Sequence, residues 1–264
     1  MLLALSGGLA VGLLMGALGG GGAILAIPLL VYGFGFAPTQ ATLASLVIVG
    51  IGAITGVATH ARTLDWRRGA VFGAFGMAGA YIGRLLAAGL DGTLLLLAFS
   101  LLLLVVASLM VGKTRRASAP GRGGRQKNGQ DAAALFASPR QGLRLVGAAT
   151  GVGFLTGFFG VGGGFAIVPA LTLILGLSMG VAVGTSLLVI LINSTLALAL
   201  GAGALASLDW GALAPLLLAV VAGTLLGTWL GQRMLTRTLQ VGFAGFLYLV
   251  AVYMAISSVV ELMR

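Results

Sequence analysis

The stretch GLLMGALGGGGAILAIP, residues 12–28, returns later in the chain as GFLTGFFGVGGGFAIVP, residues 153–169. The two copies share five glycines and a proline at one constant offset. The shared positions are Gly12, Gly16, Gly19, Gly21, Gly22 and Pro28 in the first copy, and Gly153, Gly157, Gly160, Gly162, Gly163 and Pro169 in the second. A copied motif of this length predicts a fold built from two similar halves.

The register of this repeat continues far beyond the two motifs. At the same offset, Ala41, Ser45 and Leu46 match Ala182, Ser186 and Leu187. After a three-residue insertion, Leu64-Asp65-Trp66 matches Leu208-Asp209-Trp210, Gly79 and Gly83 match Gly223 and Gly227, and Phe99 matches Phe243. We therefore predict a first transmembrane repeat at residues 1–112, a linker at 113–142 and a second transmembrane repeat at 143–264.

The composition decides the class of protein. The 264 residues are 59% hydrophobic and 8% charged, whereas soluble domains carry roughly 25% charged residues. The absence of cysteine excludes a disulfide framework and a thiolate metal site. A β-barrel would show shorter, alternating segments. The composition therefore predicts an all-α polytopic membrane protein.

Apolar stretches of helical length follow one another along the chain, and a membrane-spanning helix needs about 20 such residues. Two of the stretches are short for a full crossing, so whether they cross or re-enter stays open. We expect the first stretch to be retained, because it lacks the basic leader of a signal peptide. The candidate spans are residues 2–18, 23–36, 41–61, 69–90, 93–112, 143–160, 165–176, 181–206, 211–232 and 239–260, the short ones being 23–36 and 165–176.

Basic residues concentrate in and beside the linker, where eight of the fifteen in the chain fall within residues 113–144. A basic, glycine-rich loop can bind nucleic acid. Between two groups of membrane spans, however, the pattern is typical of a cytoplasmic loop that follows the positive-inside rule. We therefore predict no nucleic-acid partner and a cytoplasmic linker.

The two Asp-Trp loops differ in charge, which bears on how the repeats are oriented. The loop at Asp65 carries Arg62, Arg67 and Arg68, whereas the matching loop at Asp209 carries no basic residue. Equivalent loops should then lie on opposite sides of the membrane. This predicts two inverted-topology repeats of about four to five helical segments each, with both termini outside; a parallel arrangement of the repeats is the alternative.

The glycine clusters predict broken or re-entrant helices at matching positions of the two halves. Consecutive glycines destabilise a helix, each by about 1 kcal/mol relative to alanine. An unwound segment presents unpaired N–H groups to an anion, and glycine lets a ligand approach the backbone. Close helix packing is the alternative, and it suits Gly12/Gly16 and Gly153/Gly157. The predicted substrate-binding glycines are Gly19, Gly20, Gly21, Gly22, Gly160, Gly162, Gly163 and Gly164.

Polar side chains in the span after each cluster are the second set of candidates. Hydroxyl and amide groups can hydrogen-bond an oxyanion without carrying charge. Hydrogen bonds between helices are the alternative, worth roughly 0.6 kcal/mol each. An amide within a span is costly to bury unused, which favours a functional role for the asparagine. The predicted substrate-binding residues are Thr42, Ser45, Thr185, Ser186 and Asn193.

Two further residues carry chemistry but weaker predictions. His60, the only histidine, lies at the predicted cytoplasmic end of its span, where we favour an interfacial role over a pH switch. Arg84 could hold an anion at the outer mouth, but we favour a side chain that snorkels to the interface. Neither has partners for a metal site, and we predict no metal and no cofactor.

The paired glycine openings, the ATLASL and VGTSL segments that follow them, and the two Asp-Trp loops resemble the sulfite exporter TauE/SafE family, also called the toluene-sulfonate uptake permease family. The resemblance covers nearly the whole chain except the linker. It implies a multi-pass permease of the bacterial inner membrane for sulfite, organosulfonates or related sulfur-containing anions. It extends to the glycine clusters and to Thr42, Ser45, Thr185 and Ser186, but not to His60 or Arg84.

Three functions follow from these features. We favour a secondary transporter of sulfur-containing oxyanions that works by alternating access at the repeat interface. A passive anion channel would use the same glycine breaks. An intramembrane serine enzyme is the least favoured, because His60 lies about four helical turns from Ser45 on the same span.

Overall fold

The computed structural model of the protein describes residues 2–87, 92–117, 139–159, 164–200, 202–234 and 236–262. Within these ranges the chain is helical, which confirms the all-α prediction. Most of the predicted linker lies outside the described residues. The ten α-helices are α1 (Leu2–Leu18), α2 (Ala23–Pro28), α3 (Pro38–His60), α4 (Trp66–Ala87), α5 (Gly92–Ala117), α6 (Pro139–Phe159), α7 (Gly164–Leu173), α8 (Met179–Leu200), α9 (Trp210–Arg233) and α10 (Thr236–Leu262).

Six of the described helices contain segments long and apolar enough to cross a membrane, which supports the polytopic prediction. Three shorter apolar helical segments accompany them. The six long segments are Gln40–His60, Trp66–Ala87, Gln141–Phe159, Met179–Leu200, Leu213–Arg233 and Arg237–Ile256, and the shorter ones are Ala4–Leu18, Gly20–Val31 and Ala98–Gly112.

The first glycine cluster breaks the helix, as predicted. Helix α1 ends at Leu18, and Gly19 adopts φ +76°, a conformation that side chains rarely allow. A 3-10 turn at Gly20–Gly22 then leads into α2, and a π turn at Leu29–Gly33 follows it. In the second half α6 and α7 are likewise separate helices, and the glycines between them, at 160–163, lie outside the described residues.

After the break, the chain folds back along α1. Gly22 lies against Val11 and Met15, and Leu29 lies against Gly7. The residue numbers rise along one segment as they fall along the other, so α1 and the segment after it form an antiparallel hairpin. At 1.5 Å per residue, the ten residues of α7 span about 15 Å, half the hydrocarbon core of a bilayer.

Each half packs its first helix against a helix of the other half. Helix α1 packs on α9 of the second half, and α6 packs on α4 of the first half. These are equivalent pairs, because α1 corresponds to α6 and α4 to α9 in the repeat. Glycines make both contacts, since a β-carbon would overlap the facing backbone. The overlaps join Gly12 to Val220, Gly16 to Thr224, Gly223 to Leu9 and Gly227 to Leu13, and in the other pair Gly79 to Thr150, Gly83 to Phe154, Gly153 to Gly76 and Gly157 to Ala80. The close packing predicted at Gly12/Gly16 and Gly153/Gly157 is confirmed.

The two equivalent helix pairs that join the halves, α1–α9 and α4–α6, are both parallel. Gly8 of α1 lies against Leu216 near the start of α9, and Ala17 lies near Gly231 towards its end. These two helices therefore run parallel. The α4–α6 pair is parallel as well, since residues later in α4 contact residues later in α6.

The equivalent helices α3 and α8 run antiparallel to each other. Gly50 of α3 faces Ser194 of α8, whereas His60 at the end of α3 faces Gly184 near the start of α8. Two equivalent helices related by an axis parallel to them would run in the same direction. An axis perpendicular to α3 and α8 accounts for the opposite directions.

Candidate functional site

Gly20 of the first glycine cluster and Gly164 of the second meet inside the bundle. A β-carbon on Gly20 would overlap the backbone of Gly164, and one on Gly164 would lie 2.7 Å from the Cα atom and the carbonyl oxygen of Gly20. Both glycines are buried. The break in the first half and the start of α7 in the second half are therefore in backbone contact, which no side chain larger than hydrogen would permit.

Ser186 lies beside this contact. A β-carbon on Gly19 would be 2.5 Å from Ser186 Oγ, and Ser186 is fully buried in α8. Its hydroxyl donates a hydrogen bond of 2.8 Å to the carbonyl of Val183 within the same helix. A bound oxyanion would therefore recruit this hydroxyl by rotation of the side chain. Gly19, Gly20, Gly164 and Ser186, all predicted from the sequence, come together at one place.

Gly21 and Gly22 have different surroundings, although both are buried. A β-carbon on Gly22 would overlap the carbonyl of Val11, so this glycine allows the hairpin to close against α1. At Gly21 the nearest atoms, which belong to Phe243, Phe246 and Leu18, are 3.5 to 3.7 Å away. A methyl group therefore fits at Gly21 in ordinary van der Waals contact.

Thr185 is fully buried and holds a loop of the first half. Its Oγ1 accepts a hydrogen bond of 3.0 Å from the backbone N–H of Asp65. Asp65 in turn caps α4 through Oδ1, which accepts from the N–H of Arg68 at 3.0 Å. Asp65 Oδ2 lies 3.3 Å from Nε of Arg68, an ion pair without hydrogen-bond geometry. Thr185 therefore stabilises the Asp65 loop, in addition to its predicted role in substrate binding.

Ser45 is the counterpart of Ser186 in the first half. It is buried, and its Oγ donates to the carbonyl of Thr42 at 2.7 Å. Thr42 is exposed, and its counterpart in the second half is Val183. By the repeat, Ser45 would face Gly160 as Ser186 faces Gly19. Gly160, Gly162 and Gly163 lie outside the described residues.

Asn193 lies on the same face of α8 as Ser186, seven residues further along. Its Oδ1 atom is buried and has no hydrogen-bond partner in the described part of the chain. Its counterpart in the first half is Gly52. Gly50 of α3 faces Ser194 and His60 faces Gly184, so Asn193 lies near the middle of the α3–α8 contact. A buried amide oxygen without a partner is costly, which keeps a ligand role open.

A cavity of about 490 Å³ lies next to Gly19, and the sequence did not indicate it. The ends of α1, α3 and α9 and the starts of α8 and α10 form it. We call it the Arg62 cavity, and the lining residues that matter below are Thr59, His60, Arg62, Val181, Val183 and Leu239. The lining includes Val183, whose Cα would be 3.4 Å from a β-carbon on Gly19.

His60 is buried in the wall of the Arg62 cavity. Its Nδ1 lies 3.0 Å from the carbonyl oxygen of Gly56, which can only accept, so Nδ1 carries the hydrogen. The hydroxyls of Ser45 and Ser186 both donate to carbonyls of their own helices. No Ser–His pair of the kind a serine nucleophile needs therefore forms among the described residues. Arg84 is exposed at the last turn of α4.

A bundle of spanning-length apolar helices, in which the break of the first half contacts the start of α7, indicates a polytopic membrane protein. The family model of Sulfite exporter TauE/SafE matches residues 4–254, and the chain belongs to this family. The chain is also 39% identical over 188 residues to a protein of Xylella fastidiosa strain Temecula1 named "Probable membrane transporter protein". The match covers 70% of this chain and 67% of that protein.

A protein of the same name from Xylella fastidiosa strain 9a5c is 39% identical over 188 residues as well, with the same coverage. No solved structure matches the chain. The family and these relatives, together with the spanning-length helices, identify a multi-pass membrane transporter.

Proposed function

We propose that the protein is a secondary transporter of a sulfur-containing oxyanion, such as sulfite or an organosulfonate, in the inner membrane of a bacterium. The observation that carries this proposal is the contact of Gly20 with Gly164 beside Ser186. The family description supports the substrate class. The anion binds where the two halves meet.

The local chemistry of this contact suits an oxyanion. The 3-10 turn at Gly20–Gly22 follows Gly19, which offers no side-chain cap, whereas the N–H of Ala23 at the start of α2 already donates to the carbonyl of Gly20. The first N–H groups of a helical segment have no partner inside it. Backbone N–H groups freed by a break, with a hydroxyl beside them, provide neutral donors to an anion. Ser186 supplies that hydroxyl.

Alternating access follows from the relation between the two halves. Antiparallel α3 and α8 support repeats of inverted topology, because an axis perpendicular to spanning helices lies in the membrane plane. The parallel packing of α4 and α6 supports a linker on the same side as the Asp65 loop, since both helices start there. The basic residues of the linker and of that loop then face the cytoplasm, and both termini lie outside.

Uptake into proteoliposomes tests the proposal. We expect radiolabelled sulfite or an organosulfonate to enter, with uptake stimulated by unlabelled substrate on the opposite side. Such counterflow is a property of a carrier. Uptake without counterflow would instead indicate a passive anion channel, and absence of uptake for every anion of the panel would overturn the substrate assignment.

Two variants test the site itself. Gly20→Ala should abolish uptake, because its methyl group overlaps the Gly164 backbone. Gly151→Ala is the matched control, since nothing lies within 4 Å of a β-carbon there. Ser186→Ala should lower apparent affinity about tenfold, the value of one hydrogen bond to a charged group, while the protein keeps its thermal stability. Unchanged uptake in a folded Ser186→Ala protein would exclude Ser186 as a substrate ligand.

A further inference from the structure

The Arg62 cavity is much larger than a small inorganic oxyanion requires. Its volume is about 490 Å³, whereas one water molecule takes about 30 Å³ of the liquid. An anion inside it can keep much of its hydration shell. Binding there would therefore depend on charge and a few hydrogen bonds, not on a close fit.

Polar groups of the cavity come mainly from the end of α3. The Thr59 hydroxyl donates to the carbonyl of Gly56 at 2.9 Å, and its Oγ1 lies 3.4 Å from Oγ1 of Thr228 on α9, so it must rotate to donate to a ligand. His60 donates its Nδ1–H to the carbonyl of Gly56, so Nε2 of the neutral ring is an acceptor and offers no hydrogen bond to an anion. Apolar side chains, including Val181 and Leu239, form other parts of the lining. Apolar walls lower the local dielectric constant and strengthen the field of a cation at the cavity.

Arg62 provides that cation. It is exposed, and among the described residues it has no hydrogen bond or ion pair. Two other arginines near this end of the bundle are engaged: Arg68 pairs with Asp65, and the Arg233 guanidinium stacks over the Trp229 ring at 3.9 Å. Arg67 is exposed and does not line the cavity. Arg62 is thus a lining cation whose charge no described partner neutralises.

The cavity also reaches the predicted substrate site. Val183 both lines the cavity and accepts the hydrogen bond of the Ser186 hydroxyl. Gly16 and Ala17, the residues before the break, line it as well. The cavity lining therefore adjoins Gly19 and Ser186, and an anion in the cavity lies next to the predicted substrate site.

We propose that the Arg62 cavity is a second anion-binding site, in which Arg62, with the Thr59 hydroxyl, captures the hydrated oxyanion before it reaches the glycine break. This inference rests on the proposed transport function. It assigns selection for negative charge to Arg62, and close recognition of the oxyanion to Gly19, Gly20 and Ser186.

Transport kinetics of Arg62→Gln test the capture role. Removing an interaction that the anion forms on binding and keeps through the rate-limiting step raises KM and leaves kcat unchanged. We expect KM for sulfite to rise about tenfold, the loss typical of one charge-assisted hydrogen bond. Arg62→Lys keeps the charge and should restore most of the affinity. Arg67→Gln removes a neighbouring exposed charge that does not line the cavity and should match the unaltered protein.

Thermal stabilisation of the purified protein by sulfite and by methanesulfonate gives a readout independent of transport. Both anions should stabilise the unaltered protein and Arg67→Gln more than Arg62→Gln, and added salt should reduce the difference. Equal KM and equal stabilisation in Arg62→Gln and Arg67→Gln would overturn the capture site even if uptake is normal. If uptake is absent while stabilisation still depends on Arg62, the transport proposal falls and the binding site stands.

Discussion

The two Asp-Trp loops share a sequence motif but differ in burial and in the hydrogen bond that Thr185 makes to the Asp65 loop. Asp65 is 6% exposed, and its loop is held by Thr185 of the other half and by Arg68. Asp209, at the matching position, is exposed, and its Oδ1 accepts from the N–H of Gly211 at 3.0 Å. Both aspartates cap the helix that follows, which the shared motif accounts for.

The difference lies in residues that the motif does not include. Thr185 has alanine, Ala44, as its counterpart in the first half, so no hydroxyl is repeated at that position. The repeat therefore explains why both aspartates cap the helix that follows. It does not explain the hydrogen bond from the Asp65 N–H to Thr185, because that hydroxyl has no counterpart in the first half.

Removing the aspartates should expose this difference most strongly. Asp65→Ala loses the cap of α4 and leaves Arg68 without its partner, so we expect about 2 kcal/mol of destabilisation. Asp209→Ala loses an exposed cap and should cost about 0.5 to 1 kcal/mol. Thermal unfolding in detergent measures the order. Asp65→Asn keeps the cap oxygen and should fall between the two; equal midpoints for both alanine variants would refute the comparison.

Thr185→Val should have the next largest effect. The change keeps the shape of the side chain but leaves the buried N–H of Asp65 without an acceptor, at a cost of about 1 to 2 kcal/mol. Thr185→Ser keeps the hydroxyl and serves as the control. If Thr185→Val unfolds like the unaltered protein but loses uptake, Thr185 acts on the substrate and not on the loop.

Much of the fold could be predicted because its signals are local. Apolar length indicates the spans, and consecutive glycines indicate the break that Gly19 makes. The exchange of α1 and α6 between the halves could not be predicted. Each glycine-lined helix suits either partner equally well in sequence, and only the packing of the whole bundle selects the partner across the repeat.

The sequence indicated which glycines and hydroxyls to consider, but not what each of them contacts. Four glycines in a row look alike in sequence, yet Gly20 touches the other half, Gly21 has room for a methyl group and Gly22 closes the hairpin. Thr185 was predicted as a ligand because a hydroxyl can hydrogen-bond an oxyanion without carrying charge. Its partner is a backbone N–H 120 residues away, which no local pattern reveals. The Arg62 cavity combines the ends of five helices and has no sequence signature.

The smallest expected effect is that of Arg68→Gln, which distinguishes the ion pair from the helix cap at the Asp65 loop. Arg68→Gln removes the ion pair with Asp65 but keeps the backbone N–H that Asp65 caps. The side chains of Arg68 and Asp65 are 12% and 3% exposed. Because the pair lacks hydrogen-bond geometry and Asp65 keeps its cap of the Arg68 N–H, we expect a loss of about 1 kcal/mol, which salt changes little. Thermal unfolding at low and high salt measures it. A loss as large as that of Asp65→Ala would mean that the ion pair, and not the cap and the Thr185 contact, fastens this loop.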